Sequence, residues 1–254
     1  MIKDERICII KISKKGAQAA RNAGIIQAKS KWIAFLDSDD IWLSNKLEQQ
    51  IDLIRKYNYN PFIVVHSEGI KYDIDKQKKT LCNLPPVEGD IPVKQLLKHP
   101  GPMFQTILTS KQVLAAMGLL DENVPSYQEW DTSIRLAKFC KWLFINEPLF
   151  VYQIHNDYDS ISKNAYRDIK GYQYVVDKFK DEIIKEIGID EYLHHVRNNI
   201  LRALNYGLWT EAEVLYGKLS VFSFDKFVIK MLILLHLRPD FIFKMKKKFR
   251  KIFK

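Results

Sequence analysis

One stretch constrains this chain more than any other: five apolar residues, 32–36, lead directly into the carboxylates of Asp37, Asp39 and Asp40. Apolar runs of this length, rich in aromatic and β-branched residues, are typical of strands that are buried on both faces. In α/β folds, ligands gather at the carboxyl ends of such strands. Carboxylate oxygens suit Mg²⁺ or Mn²⁺, which takes its other ligands from substrate phosphates and water. The stretch therefore predicts a metal site for a phosphate-bearing substrate, with a solvated turn as the plainer alternative.

The apolar segments around this stretch alternate between strand and helix patterns. Short runs rich in β-branched residues predict strands, and apolar residues at helical spacing predict the helices between them. The predicted elements, in the order strand, helix, strand, helix and strand, are 6–12, 16–29, 32–36, 44–57 and 61–66. Parallel sheets are built from this order, so we predict an α/β fold with a mostly parallel sheet and flanking helices.

The last third of the chain has a helical pattern. We therefore predict an α/β domain over residues 1–163 and an α-helical C-terminal appendage over residues 164–254. Within the appendage, residues 221–237 are strongly apolar, but charged side chains interrupt them. No uninterrupted run reaches the ~20 residues that a membrane-spanning helix needs, so we expect this segment to lie on a membrane and not to cross it.

Positive charge is concentrated at the C-terminus. The chain has a formal net charge of +10, and residues 238–254 contain eight basic residues against the single acid Asp240. Phenylalanine, isoleucine and methionine alternate with these lysines and arginines. This alternation suits a helix on anionic lipid better than a nucleic-acid contact. We predict an anionic membrane surface as a partner and no nucleic acid, with a plain solvated helix end as the alternative.

Cysteine usage indicates a reducing compartment. Cys8, Cys82 and Cys140 have no metal-ligand spacing, and an odd number of cysteines forms no disulfide framework. The first residues do not have the pattern of a secretory signal. Together with the basic C-terminus, these features predict a cytoplasmic protein that is peripheral at the inner face of the cell membrane.

Four segments, in this order along the chain, resemble glycosyltransferase family 2, whose members have the GT-A fold. Besides the aspartate run, they are Gly16–Gly24, the sequence Gln128-Glu129-Trp130-Asp131 and the sequence Tyr152-Gln153-Ile154-His155. The resemblance implies a GT-A-type sheet and the transfer of a sugar from a nucleotide-diphosphate donor. The acceptor it implies is a hydroxyl of a cell-surface glycan or of a lipid-linked acceptor. It also implies inversion at the anomeric carbon and a divalent cofactor, Mn²⁺ or Mg²⁺.

The resemblance assigns residues to the donor and the metal. Asp39 matches the metal-binding second acid of the family's Asp-x-Asp motif, and Asp37 matches the first, which lies close to the donor ribose and the metal. Arg21 and Asn22 match a segment beside the donor, where an arginine suits diphosphate oxygens. His155 falls where such enzymes place a histidine that reaches the metal or the diphosphate. A structural or surface role is the plainer alternative for Arg21 and for His155.

The resemblance also assigns the acceptor side. Glu129 matches a carboxylate that serves as general base, which a sugar hydroxyl needs because it is a poor nucleophile near neutral pH. The family usually has Glu-Asp here, whereas Gln128 precedes Glu129 in this chain, and the loss of one like charge predicts a lower pKa for the base. Trp130 matches an aromatic wall for the acceptor sugar. The alternatives are a first-turn glutamate favoured by the helix dipole and a core tryptophan.

The chain departs from the family at its beginning. Members normally open with a strand, a helix and a second strand that ends in an Asp-Asp-Gly-Ser motif for the nucleotide base. We therefore expect an N-terminally truncated domain, with self-association or pairing with a chain that supplies the missing segment. A catalytically inactive remnant or assembly partner is the alternative function. A phosphotransferase is a third hypothesis, but it requires Thr or Val after the second aspartate, where Asp40 and Ile41 follow.

Overall fold

The computed structural model describes residues 4–13, 15–154, 164–219 and 224–240. The chain divides into two compact units. The first unit contains Met1–Asn123 and Gln128–Tyr158, and the second contains Val124–Tyr127 and Asp159–Lys254. Because residues 155–163 lie outside the described part, the predicted boundary at residue 163 stays a prediction.

The first unit combines strands and helices. Its strands are β1 Trp32–Ala34, β2 Ile41–Trp42, β3 Ile63–Asp73, β4 Lys78–Leu81, β5 Gly89–Asp90, β6 Leu108–Ser110 and β7 Lys141–Ile154. Its helices are α1 Ala17–Gln27, α2 Lys46–Lys56, α3 Val93–Lys98, α4 Lys111–Ala116 and α5 Gln128–Ala137, with a short 3₁₀ turn at Phe104–Thr106. The two helices predicted before residue 60 and the strands at 32–36 and 61–66 are therefore confirmed, with shifted ends.

The strands form one mixed sheet in the order β1-β6-β3-β7-β2, with β4 beside β3 and β5 beside β7. Among the described strands, only β3 and β7 pair in parallel, and every other pairing is antiparallel. The α/β class with flanking helices is confirmed, but the prediction of a mostly parallel sheet was wrong. β1 and β3 do run in the same direction, yet β6 comes from later in the chain and inserts between them in the opposite direction. Periodicity identifies a strand but carries no information about the direction of its neighbour.

The strand predicted at residues 6–12 was also wrong. This segment has no strand partner in the described part of the chain, and Ile7 and Ile9 are 55% and 75% exposed. β-Branched residues favour a half-buried, pleated surface, but they do not create one. A strand forms only where a neighbour supplies the ladder of hydrogen bonds.

The core of the first unit lies between α2 and the middle of the sheet. Ile54 of α2, Ile63 and Val65 of β3, and Leu108 of β6 form one buried cluster. Nearby, the ring of Phe35 contacts that of Phe104, with centroids 5.0 Å apart. This aromatic pair joins the chain that leaves β1 to the 3₁₀ turn at Phe104–Thr106, and so brings polar residues of both segments together.

The second unit is helical, as predicted, throughout its regular described elements. They are α6 Ala165–Lys178, α7 Lys180–Glu186, α8 Ile189–Tyr206, α9 Trp209–Tyr216 and α10 Phe224–Leu234. α8 packs against α6, α7 and α9, and it ends at Gly207, which adopts the left-handed conformation common after helices. No helix in the described ranges is both long enough and apolar enough to cross a membrane.

Candidate active site

The aspartate turn, which we define as residues 37–40, follows β1 as the sequence predicted. Of the three residues of β1 only Ile33 is buried, however, so the predicted burial on both faces was wrong. The backbone N–H of Asp40 donates to the carbonyl oxygen of Asp37 at 3.2 Å and closes the turn. The side chain of Asp40 is buried, Asp37 is half-buried and Asp39 is exposed. Three carboxylates that are neighbours in sequence therefore have three different environments.

Two glutamines hold this turn from neighbouring elements. Gln105, in the 3₁₀ turn, donates from Nε2 to Oδ2 of Asp37 at 2.7 Å and to Oδ2 of Asp40 at 2.6 Å. Gln153, in β7, donates its backbone N–H to Oδ1 of Asp40 at 3.1 Å and its side-chain Nε2 to the carbonyl oxygen of Asp39 at 2.6 Å. The carboxylates of Asp37 and Asp40 thus have hydrogen-bond partners, whereas the described part of the chain holds Asp39 only through its backbone.

Burial makes Asp40 unusual among these acids. The pKa of the Asp40 carboxyl is raised to about 6, chiefly by loss of water and to a smaller extent by the negative charges of Asp39 and Asp37. The hydrogen bonds from Gln153 and Gln105 act in the opposite direction because they stabilise the ionised form. Without these donors, a buried carboxylate beside two other acids would be harder still to ionise.

Arg21 of α1 connects the aspartate turn to the start of α5. Its Nη2 donates to Oδ1 of Asp37 at 2.8 Å, and its Nη1 donates to the side-chain oxygens of Gln128 and Gln18, each at 3.1 Å. The guanidinium also lies over the ring of Phe104, 4.4 Å from its centroid. The structure therefore places Arg21 beside the turn, with much of its hydrogen-bonding fork already engaged.

Asn22 is placed differently from the expectation. Its side chain donates to the carbonyl oxygen of Leu120 and to the carboxylate of Glu122, each at 2.9 Å, and it accepts from the backbone N–H of Leu120 at 2.9 Å. The residue is buried and fastens a loop to α1. Both the oxygen and the nitrogen of the side-chain amide are engaged in these hydrogen bonds. The structure therefore gives Asn22 a structural role, and not the predicted role of binding the nucleotide-sugar.

Glu129 is the second residue of α5 and lies half-buried. Loss of water raises the pKa of its carboxyl, and the charge of Asp37 raises it slightly more. Its own backbone N–H and the charge of Arg21 lower it by less. The net direction is upward, because desolvation outweighs the two contributions that lower the pKa. The lower pKa that Gln128 should give, relative to an acid at the same position, stays a prediction.

Two further expected residues do not join this group. Trp130 is fully buried, and its indole N–H donates to the carbonyl oxygen of Leu96 at 2.6 Å. A side chain with no exposed surface cannot form a wall for a sugar. Trp130 is therefore a core tryptophan, and the prediction that it contacts the acceptor was wrong. His155 lies outside the described residues.

The chemistry of the turn fits a particular kind of metal site. Asp39 is exposed, and within the described residues its carboxylate has no hydrogen-bond or ion-pair partner. The same part of the chain contains no group of three or more His, Cys, Asp or Glu side chains that could enclose an ion. Mg²⁺ and Mn²⁺ are often held by one or two carboxylates and completed by substrate phosphates. The residues therefore fit an ion that arrives with a diphosphate, and do not fit an ion enclosed by protein alone.

Gln105 and Gln153 are not among the site residues that the sequence predicted. Gln105 stands in the otherwise apolar or hydroxyl-bearing stretch 104–109, and an amide in such a buried segment is a signal of a specific hydrogen bond. Gln153 lies in one of the family-like segments, two residues before His155. Amides do not titrate and match no metal-ligand pattern, so the sequence alone does not mark these two residues as part of a site.

Comparisons with known proteins give the context of this geometry. The sequence model of the family described as "Glycosyl transferase family 2" matches residues 1–114. The chain is 27% identical over 177 residues to UDP-Glc:alpha-D-GlcNAc-diphosphoundecaprenol beta-1,3-glucosyltransferase WfgD of Escherichia coli, covering 68% of this chain and 64% of that protein. It is 53% identical over 51 residues to the E. coli protein WfaP, which has the same descriptive name, covering 20% of each.

A solved structure is also similar. The crystal structure of S. aureus TarS, residues 1–349, superposes with a TM-score of 0.45 at 12% identity, over 80% of this chain and 55% of that chain. The chain thus spans less than two thirds of the length of WfgD and of this TarS fragment.

Proposed function

We propose, from the premise that residues 1–114 of this chain belong to glycosyl transferase family 2, that the protein transfers a sugar from a nucleotide-diphosphate donor. The acceptor is a hydroxyl of a lipid-linked or cell-surface glycan, and the transfer inverts the anomeric carbon. The observation that carries the proposal is the exposed carboxylate of Asp39, which has no hydrogen-bond or ion-pair partner among the described residues and lies in a turn that Arg21 links to the helix bearing Glu129. The name of WfgD, which specifies a UDP-glucose donor and a diphosphoundecaprenol-linked acceptor, supports the class of substrates.

Glu129 is the residue that we assign to the acceptor. A sugar hydroxyl attacks the anomeric carbon efficiently only if its proton leaves as the new bond forms. The Glu129 carboxylate takes that proton, while the bond from the anomeric carbon to the diphosphate breaks and the diphosphate keeps the electron pair. Attack on the face opposite the diphosphate produces inversion. A base with a raised pKa suits this task, because it holds the proton more firmly at neutral pH than an ordinary glutamate.

Asp39 and Asp37 are the residues that we assign to the leaving group. A divalent ion, when bound, neutralises charge that develops on the departing nucleoside diphosphate. Asp39 would hold the ion, and Asp37 lies in the same turn with its carboxylate oriented by Arg21 and Gln105. The guanidinium of Arg21 adds positive charge beside the diphosphate, while its bond to Asp37 limits how far it can turn.

A transfer assay tests the proposal. The purified chain is incubated with Mn²⁺, a panel of nucleotide-sugars and a lipid-diphosphate acceptor that carries one N-acetylated sugar. We expect a product whose new glycosidic bond has the anomeric configuration opposite to that of the donor, and we expect EDTA to stop its formation. A product with retained configuration contradicts the mechanism. Donor binding without any transfer contradicts the enzymatic proposal and favours the inactive-partner alternative.

We also propose that the basic C-terminus binds an anionic membrane at the inner face of the cell membrane. The charge in residues 238–254 supports this, although residues 241–254 lie outside the described part. We expect sedimentation with phosphatidylglycerol vesicles but not with phosphatidylcholine vesicles, and release at high salt, because each surface-bound lysine or arginine contributes about 1 kcal/mol within a Debye length. Deletion of residues 241–254 should release the protein. Vesicle binding that survives this deletion would place the contact elsewhere.

A further inference from the structure

We propose that Gln105 is a positioning residue for the metal and the diphosphate: its amide binds Asp37 and Asp40 and so leaves Asp39 as the carboxylate of the aspartate turn that meets the ion. The inference rests on the proposed function, because it concerns the same site. Gln105 touches neither the sugar nor the acceptor in this role. It acts through the two aspartates that it holds.

The geometry around Gln105 is specific. One amide nitrogen donates to two different carboxylates, at 2.7 Å to Asp37 and at 2.6 Å to Asp40. An amide nitrogen has two hydrogens, so both are used. Gln105 is only 5% exposed, which keeps water from competing for these bonds. A side chain with one donor, or with none, could not hold both aspartates at once.

The choice of an amide matters electrostatically. Asp37 and Asp40 carry like charges on one tight turn, and their repulsion is strong where burial lowers the effective dielectric constant. Hydrogen bonds from Gln105 stabilise both ionised carboxylates without adding charge. A lysine or arginine in the same place would also bind them, but it would cancel the negative charge that attracts a divalent cation. Glutamine therefore keeps the turn folded and keeps it acidic.

The residue is itself held firmly. The ring of the neighbouring Phe104 contacts the ring of Phe35, with centroids 5.0 Å apart, and the guanidinium of Arg21, which lies 4.4 Å from the Phe104 centroid. The other neighbour, Thr106, accepts a hydrogen bond from Gln50 at its carbonyl oxygen at 2.7 Å. Packing on both sides of Gln105 thus fixes the position from which its amide acts. Such supporting residues typically change metal affinity by about 10–100-fold when they are removed.

Gln153 completes the arrangement from the opposite strand. Its backbone and side-chain bonds to Asp40 and to the Asp39 carbonyl hold the main chain of the turn. With the backbone fixed by Gln153 and two carboxylates bound by Gln105, the Asp39 side chain is directed to solvent. Removing the Gln105 amide frees Asp37 and Asp40 to repel each other and reorient the turn.

The experiment compares two substitutions of Gln105 with a control. Gln105→Met keeps the length of the side chain and removes both N–H donors. Gln105→Glu keeps the shape of the side chain but places another carboxylate against those of Asp37 and Asp40. Ser110→Ala is the control, because it removes a buried helix cap at the far end of β6 and lowers stability without touching the turn. The probes are Mn²⁺ alone and Mn²⁺ with UDP, measured by calorimetry, with thermal unfolding followed by circular dichroism.

We expect Gln105→Met to weaken Mn²⁺ binding in the presence of UDP by about tenfold or more, and Gln105→Glu to weaken it further. Ser110→Ala should bind like the wild type. If either Gln105 variant folds and binds Mn²⁺ with wild-type affinity, the inference is overturned while the proposed function stands. If the wild type itself binds neither Mn²⁺ nor UDP, the metal-assisted function and the inference fail together. If one of the two Gln105 variants does not fold, the other still tests the inference.

Discussion

Glu129→Gln is expected to reduce turnover by about 10²–10⁴-fold while leaving donor affinity within a few-fold of the wild type. This range is the usual contribution of a positioned general base. The amide of glutamine has nearly the same shape as the carboxylate but cannot take the proton of the acceptor hydroxyl. An interaction that exists only in the transition state lowers kcat without raising the dissociation constant of the substrate. Steady-state kinetics together with donor calorimetry separate the two quantities.

The pH profile gives an independent check on the same residue. A base works only when ionised, so the activity of the wild type should rise with pH through the pKa of Glu129. Because burial raises that pKa, the rise should lie above the range of an ordinary glutamate. In Glu129→Gln, this rise should disappear from the residual activity. A wild-type profile that is flat across the acidic range would contradict the assignment.

A matched control distinguishes catalysis from helix stability. Glu48 also lies in the first turn of its helix, α2, and it is exposed. Glu48→Gln removes the same favourable interaction with a helix dipole, worth about 0.3–1 kcal/mol, without reaching the site. We expect this control to keep wild-type turnover. If both variants keep it, Glu129 is a helix-terminus residue and the base must be sought elsewhere.

Asp39→Ala is expected to abolish Mn²⁺ binding in the presence of UDP, and with it metal-dependent turnover, while the thermal unfolding midpoint stays almost unchanged. The exposed carboxylate has no partner within the described residues, so its removal breaks no contact there. Exposed substitutions of this kind usually change stability by less than about 0.5 kcal/mol. The lost carboxylate, in contrast, is the protein's principal ligand for an ion whose other ligands come from phosphate and water.

The measurement is calorimetric titration of Mn²⁺ into protein with UDP, accompanied by thermal unfolding. Asp52→Ala is the control, since Asp52 is an exposed aspartate on α2 whose carboxylate pairs with Arg55. It should leave Mn²⁺ binding unchanged. Undiminished Mn²⁺ affinity in Asp39→Ala would remove this residue from the metal site. A large fall in the unfolding midpoint would instead show that the side chain supports the fold.

The relation between Asp39 and Asp40 shows where sequence analysis reached its limit. The run from Trp32 to Asp40 predicted a strand that leads into a group of acids, and β1 with its turn confirms that order, although β1 is only partly buried. The pattern could not tell which acid is buried and which is free. That distinction depends on Gln105 and Gln153, which approach from a 3₁₀ turn and from β7. Nothing in the sequence next to Asp37 indicates either contact, because both glutamines are distant from it along the chain.

Local patterns determined much about this protein. Apolar spacing located α1 and α2, the strands at 32–36 and 61–66, and the helical character of the C-terminal region, because hydrophobic periodicity reflects which face of an element is buried. The motif segments indicated a resemblance to glycosyltransferase family 2, and the sequence model of that family matches residues 1–114. The sequence alone therefore determined the α/β class, this resemblance and the position of the aspartate turn.

Only the tertiary structure decided the arrangement of these parts. It inserted β6 between β1 and β3, gave residues 6–12 no strand partner among the described residues, and placed Asn22 and Trp130 in the scaffold. It also raised the pKa of Glu129 through burial, an effect that the residues next to it in sequence do not reveal. Each of these outcomes depends on neighbours that are distant in sequence. Strand direction, side-chain burial and hydrogen-bond partners come from contacts between segments, and a linear pattern does not contain those contacts.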